Sequence, residues 1–254
     1  MNRISPTVKQ LLIINIIFYF GSTLSANADF IYSIFSLYFP ENPDFQPWQI
    51  ITHMFMHSKQ LFTHILFNMF ALWMFGTAVE SILGSRNFLF FYITCGLGAG
   101  IIQLLFSYYS FYSDLEVLIS SGISKAEIIQ SLSEPNLFKL DQWASLYGLE
   151  SVQNIYDIFR TPMVGASGAI MGVLVAFGIY FPESKLMLIF LPIPIKAKYF
   201  IPGIILLDLF SAFTGQAIFS PSNTAYIAHL GGALTGFLLM IYWKKNQFNS
   251  NRWF

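Results

Sequence analysis

Charged residues are scarce in this chain of 254 residues. Asp, Glu, Lys and Arg together make up 10% of it, whereas an average soluble domain carries about 25%. Hydrophobic residues make up 55%, and the mean hydropathy is +0.59. Because so few charges cannot cover the surface of a water-soluble chain of this length, the composition argues against a soluble protein and favours one that has a lipid bilayer as its solvent.

Cysteine and net charge are also nearly absent. The single cysteine, Cys95, has no second cysteine with which to form an intrachain disulfide. The formal net charge is zero, so nothing in the sequence indicates a nucleic-acid surface. No cofactor or metal is expected. His53 and His57 have no nearby cysteine or carboxylate to complete a ligand set, so hydrogen bonds that shape their loop are preferred to a metal site.

The sequence is instead rich in long apolar runs, each close to the roughly 20 residues that a helix needs to cross a bilayer. The runs cover residues 8–27, 60–80, 87–108, 162–181, 199–219 and 225–243. They predict an all-α polytopic membrane protein, a six-transmembrane-helix bundle. We expect a single domain over 1–254, with an outer insertion of two or three short helices at about 109–160. A cleaved secretory signal is the alternative for the first run, because Ala26-Asn27-Ala28 resembles a cleavage site.

The basic residues predict the orientation of the bundle, because short cytoplasmic loops are enriched in Lys and Arg. With the N-terminus inside, the inner segments hold nine of the 13 basic residues, including Arg3, Lys9, Arg86 and Lys185. Both termini are therefore expected in the cytoplasm. No Arg-rich, acidic-poor presequence is evident, which favours an integral protein of a bacterial cell (inner) membrane.

Polar side chains inside the apolar runs are the first candidates for function, because a polar group in a bilayer is costly. His64 and Asn68 are four residues apart on the second run and share one helix face. Ser167 lies near the start of the fourth run and His229 near the start of the sixth. Counted from the predicted outer boundaries, His64, Ser167 and His229 each lie roughly 6–8 Å below the outer surface. A bundle of these helices would bring them together.

These residue types are the ones that acyl transfer requires. A serine hydroxyl is a weak nucleophile until a base takes its proton, and neutral His229 is suited to be that base for Ser167. Attack on a peptide carbonyl creates an oxyanion, which the Ser167 backbone N–H, the Asn68 amide and the His64 imidazole would stabilise. No acidic residue is evidently placed to orient His229, so we expect a two-residue dyad rather than a triad.

Glycines close to both residues predict how their helices meet. Gly232 and Gly236, four residues apart, form a small-xxx-small pattern that lets helix backbones approach closely. We therefore expect close contact between the fourth and sixth spans, which a Ser–His pair needs.

The order and spacing of these motifs resemble the signature of the rhomboid proteases. The matching parts are the His and Asn on the second span, Gly165-Ala166-Ser167-Gly168 on the fourth, and Ala228-His229 on the sixth. The resemblance implies an intramembrane serine endopeptidase that cleaves membrane-anchored proteins within or near a transmembrane segment, through an acyl-enzyme intermediate. Its partners would be transmembrane protein substrates and the lipid bilayer. The chain departs from the family at Gln49, where Arg is frequent, and at Met171, where an aromatic is frequent.

Two other functions stay open. Asp208 lies midway along the fifth run, where a charge is costly, and a proton or ion pathway there would make the chain a small transporter. Transport leaves the alignment of Ser167, His229 and Asn68 unexplained. The second alternative is a catalytically inactive rhomboid-like protein that binds membrane-protein clients, although the chain retains both the nucleophile and the base.

Overall fold

The computed structural model describes residues 4–134, 137–188, 191–216 and 225–250, which contain twelve α-helices and one β-hairpin. The helices are α1 (Pro6–Leu24), α2 (Ala28–Phe35), α3 (Gln49–Thr52), α4 (Phe62–Ala71), α5 (Thr77–Leu83), α6 (Ser85–Ser120), α7 (Lys125–Ser133), α8 (Leu137–Tyr147), α9 (Leu149–Arg160), α10 (Ser167–Tyr180), α11 (Ala197–Thr214) and α12 (Tyr226–Ser250). The antiparallel strands are β1 (Lys185–Leu188) and β2 (Leu191–Lys196). A π-helical segment, Leu72–Gly76, joins α4 to α5 into one continuous helix.

Within the described ranges, five helices are long and apolar enough to cross a membrane: α1, the joined α4 and α5, α6, α11 and α12. The predicted fourth span is a shorter apolar helix, α10, of 14 residues. It begins at Ser167 rather than at residue 162, because Gly165 has a φ of +130° and Met163 forms an extended bridge with Leu37. The prediction of an all-α polytopic membrane bundle is confirmed.

Three further boundaries differ from the prediction. Helix α12 continues to Ser250 rather than ending at residue 243. Helix α6 continues to Ser120 rather than ending at residue 108, and α11 ends at Thr214, where Gly215 adopts the left-handed conformation that terminates a helix. Residues 217–219 of the predicted fifth run lie outside the described residues. The insertion contains three short helices, α7 to α9, as predicted.

Helix α10 lies at the centre of the bundle. All of its residues from Gly168 to Phe177 are buried, and α6 and α12 pack against it. The peripheral helices carry large apolar side chains on their outer surfaces, such as Phe213, which is 85% exposed, and Ile17 and Leu206, both 63% exposed. Such a surface suits hydrocarbon rather than water, so the chain is an integral membrane protein whose solvent is the lipid bilayer.

Candidate active site

Ser167 is the first residue of α10, and the backbone before it is held by the first loop, which is the segment between α1 and α4 (residues 25–61). The Gly165 N–H donates to the His53 carbonyl at 3.0 Å. The φ of Gly165, +130°, is one that residues with a side chain rarely adopt. A Cβ at Gly165 would lie 3.0 Å from His64 Nε2 and 3.5 Å from Ser167 Oγ. The Ser167 hydroxyl and the His64 ring therefore border one small space that only a glycine leaves open.

His64 and Asn68 reach this region from one face of α4. The Ser58 backbone N–H donates to His64 Nδ1 at 3.2 Å, so the proton of the neutral ring lies on Nε2, the nitrogen beside Gly165. The buried Asn68 amide donates from Nδ2 to the His64 carbonyl at 2.8 Å, which leaves its second N–H for another acceptor. The helix thus presents two N–H groups without placing a charge in the bilayer.

His229 lies in the first turn of α12, and its ring meets a carboxylate. Its Nδ1 is 2.8 Å from Oδ2 of Asp208 on α11, and the two side chains are only 12% and 5% exposed. The expectation that no acidic residue is placed to orient His229 is therefore wrong. The apolar run 199–219 predicts that Asp208 lies midway along the fifth span. Helix α11 ends at Thr214 instead, so Asp208 lies only six residues from the end of the helix. This position brings it to the level of His229.

Glycines bring α10 and α12 together beside these residues. A Cβ on Gly232 would lie 1.8 Å from the Gly168 carbonyl oxygen, and one on Gly236 would lie 2.7 Å from the Gly172 Cα. The predicted close contact of the two spans is thus present, one residue beyond Ser167. Within the described part of the chain, no direct hydrogen bond joins Ser167 to His229; in enzymes without substrate such bonds are frequently long.

Gln49, at the position where the resemblance expects Arg, organises the first loop. Its side chain is fully buried. Nε2 donates to the carbonyls of Asp44 at 2.8 Å and Ser33 at 3.0 Å, and Oε1 accepts the Tyr38 N–H at 3.2 Å. The Gln49 carbonyl lies 2.9 Å from Nδ1 of His53, whose own carbonyl holds Gly165. Nε2 also lies 3.3 Å from the Ile34 carbonyl. The resemblance marks this position as unusual, but only the fold shows that a neutral side chain here satisfies four backbone groups.

His53 and His57 are both buried in the first loop. Burial lowers the pKa of His53 to about 4, and burial together with the neighbouring His64 lowers the pKa of His57 to about 3. Both rings are therefore neutral at neutral pH. His53 shapes the loop through hydrogen bonds, as predicted, whereas neither ring nitrogen of His57 has a partner among the described residues. Over the residues that the structure describes, no three His, Cys, Asp or Glu side chains are grouped so that they could hold a metal ion.

Comparisons with known proteins agree with this architecture. A model of the Rhomboid domain matches residues 44–128 and 138–246. Rhomboid protein 1, mitochondrial, of Saccharomyces cerevisiae is 27% identical over 74% of this chain and 40% of its own length. The presenilin-associated rhomboid-like protein, mitochondrial, of Rattus norvegicus is 30% identical over 72% of this chain and 37% of its own length. Rhomboid protease GluP of Bacillus subtilis is 39% identical over 24% of this chain and 12% of its own length.

The chain spans about two fifths of the length of the first two relatives. Because those relatives are named as mitochondrial, the expectation of a bacterial cell membrane gains no support from them. The domain model matches more than half of this chain. It covers the first loop from residue 44 onward, the α4 face with His64 and Asn68, and the helices that carry Ser167 and His229. On that coverage, the chain belongs to the rhomboid family.

Proposed function

We propose that this chain is an intramembrane serine endopeptidase that cleaves membrane-anchored proteins within or near a transmembrane segment. One observation carries the proposal: His64, Ser167 and His229 each lie in the first turn of their helices. These turns are adjacent, because a Cβ at Gly165 would contact His64 and one at Gly168 would contact the Ala228 carbonyl. Packing alone does not require a nucleophile, a base and hydrogen-bond donors at one level of three helices. Their combination is the set of groups that acyl transfer needs.

In the proposed reaction, Ser167 Oγ attacks the carbonyl carbon of the scissile peptide and its proton passes to His229. The C–N bond then breaks, His229 gives the proton to the departing amine, and an ester joins the substrate's acyl group to Ser167. Water attacks this ester with His229 again acting as base, which releases the new carboxylate and restores the serine.

The negative charge of each tetrahedral intermediate needs donors that are already in place. The Ser167 backbone N–H at the start of α10 is free of the helical hydrogen-bond ladder, as at any helix N-terminus. The Nε2–H of His64 borders the same space as Ser167 Oγ, and Asn68 has one N–H not used by the His64 carbonyl. Preorganised donors of this kind are worth several kcal/mol in a water-poor site, about 3–4 for one donor.

Neither alternative function has comparable support. The transport hypothesis rests on a carboxylate without a partner, but the Asp208 carboxylate is hydrogen-bonded to His229. An inactive client-binding protein would not need to retain both a nucleophile, Ser167, and a base, His229. A relative that matches part of this chain is itself named a rhomboid protease.

Labelling with a fluorophosphonate probe tests the proposal, because the probe reacts covalently with activated serines. We expect the detergent-solubilised protein to label at one site, identified as Ser167 by mass spectrometry, and Ser167→Ala and His229→Ala to abolish labelling. Ser22→Ala, which changes a buried serine of α1, is the matched control and should label like the wild type. A folded wild-type protein that stays unlabelled would contradict the proposal.

A further inference from the structure

The Asp208 carboxylate is a group that is costly to bury in the bundle. It lies within a membrane-crossing helix and the residue is 4% exposed. A carboxylate taken out of water is strongly unfavourable unless it is paired and hydrogen-bonded. Within the described residues, its hydrogen bond is the one to Nδ1 of His229, at 2.8 Å. The bundle therefore places the Asp208 carboxylate of α11 against the ring that the proposed reaction uses as a base.

The carboxylate decides which ring nitrogen carries the proton. An ionised carboxylate only accepts hydrogen bonds, so the neutral His229 ring that faces it has its hydrogen on Nδ1. Nε2 is then the nitrogen with a free lone pair, which is the form a base requires. Without Asp208, the ring can turn or take the other tautomer. In that tautomer Nε2 carries the proton and has no lone pair with which to accept the Ser167 proton.

We propose that Asp208 is a positioning residue for His229, and that the reacting unit is Asp208, His229 and Ser167 rather than a two-residue dyad. This inference rests on the proposed protease function. Asp208 holds the ring in the Nδ1–H tautomer before the reaction. When the ring takes the Ser167 proton, the same carboxylate faces the imidazolium, whose charge it stabilises in a medium of low dielectric constant.

The first readout is the rate of probe labelling in Asp208 variants. Asp208→Ala and Asp208→Asn should lower the rate constant for labelling of Ser167 by about 10- to 100-fold, the effect known for losing a carboxylate that orients a metal-ligating histidine. Asp208→Glu keeps the charge and should recover part of the rate. Ser211→Ala, one turn along α11 and likewise buried at 2% exposure, is the matched control and should label like the wild type.

The second readout does not depend on activity. In protein labelled with nitrogen-15 on histidine, the His229 signals are identified by their loss in His229→Gln. We expect these signals to report a hydrogen on Nδ1 in the wild type and in Ser211→Ala, and a shift toward Nε2–H in Asp208→Ala. A purely structural role of Asp208 would leave the tautomer unchanged.

The two readouts separate the two proposals. An Nδ1–H tautomer that depends on Asp208, in a wild-type protein that the probe does not label, would overturn the protease function and leave the positioning role of the carboxylate in place. Labelling that Ser167→Ala abolishes but Asp208→Ala leaves at the wild-type rate would overturn the positioning role alone. An Nε2–H tautomer in the wild type would overturn it as well.

Discussion

A single carboxylate, Glu80, closes the N-terminus of the first membrane helix. Its oxygens accept the backbone N–H groups of Thr7 at 3.0 Å and Val8 at 2.9 Å, and the hydroxyls of Ser5 and Ser85 at 2.5 and 2.6 Å. The first N–H groups of a helix have no partner within the helix, and a negative charge at that end also matches the helix dipole. Glu80 is 3% exposed, so water cannot replace it.

Replacement of Glu80 should therefore destabilise the fold without touching the site. We expect Glu80→Ala to lower the free energy of unfolding by about 2–3 kcal/mol, since it leaves buried N–H groups unpaired. Thermal unfolding in detergent is readily followed with a maleimide dye, because the only cysteine, Cys95, is fully buried in the native state. Glu116→Ala, at an exposed position of α6, should leave the transition unchanged; an equal shift in both variants would refute the capping role.

Among single residues, the sequence could predict those that form local motifs. It could not predict that Asp208, on another helix, contacts His229. His64 and Asn68 share a helix face because they are four residues apart, and Ser167 stands out because glycines surround it. Asp208 is 21 residues before His229 and on a different helix. Its cost in a bilayer marked it as unusual, but only the packing of α11 against α12 identifies its partner.

Helices α10 and α12 meet through backbone rather than side chains. Gly232 faces the Gly168 carbonyl so closely that a methyl group has no room, since the added carbon would lie 1.8 Å from a backbone oxygen. Backbone atoms cannot move aside as a flexible side chain can, so the helices would have to separate. Gly168 and Gly232 lie within three residues of Ser167 and His229, so a separation here pulls the hydroxyl away from the ring.

Gly232→Ala should thus lower both stability and reactivity. We expect overpacking to cost about 1–3 kcal/mol and the labelling rate of Ser167 to fall by at least about tenfold, in line with a 1 Å displacement of reacting groups. Gly21→Ala is the control, because a Cβ at Gly21 meets nothing within 4 Å; its stability should be unchanged or raised by up to about 1 kcal/mol. Normal labelling by Gly232→Ala would show that the close approach is not needed.

At the scale of elements, apolar composition predicted that helices exist but not where they end. Residues 162–166 are as apolar as a span, yet the backbone conformation of Gly165 and the bridge between Leu37 and Met163 keep them extended. Helix α6 exceeds its apolar run because Phe111, Leu115 and Leu118 are buried in the insertion's own core. Neither feature is visible in hydropathy, since both depend on contacts with distant parts of the chain.

Across the whole molecule, the insertion and the first loop form one layer next to the site. Asn42 donates to the Phe159 carbonyl at 2.6 Å, and Glu41 accepts a hydrogen bond from Tyr112 and pairs with Lys125 at 3.0 Å. Since the same loop holds Gly165 through His53, the insertion supports the backbone that leads into Ser167. The cytoplasmic position of both termini stays a prediction, which places this layer and the site on the opposite side of the membrane.

We propose that Ser167 cleaves other membrane proteins from within the bilayer. The most direct test is reconstitution into lipid vesicles with a model single-span substrate whose transmembrane segment carries helix-breaking residues near one surface, followed by mass spectrometry of the products. We expect the wild type to cut inside that segment, roughly 6–8 Å below the surface, the depth at which the first turns of three helices place the site. Ser167→Ala should release no product. If a folded wild type leaves the substrate intact, or if Ser167→Ala cuts it equally well, Ser167 is not the nucleophile of an intramembrane protease.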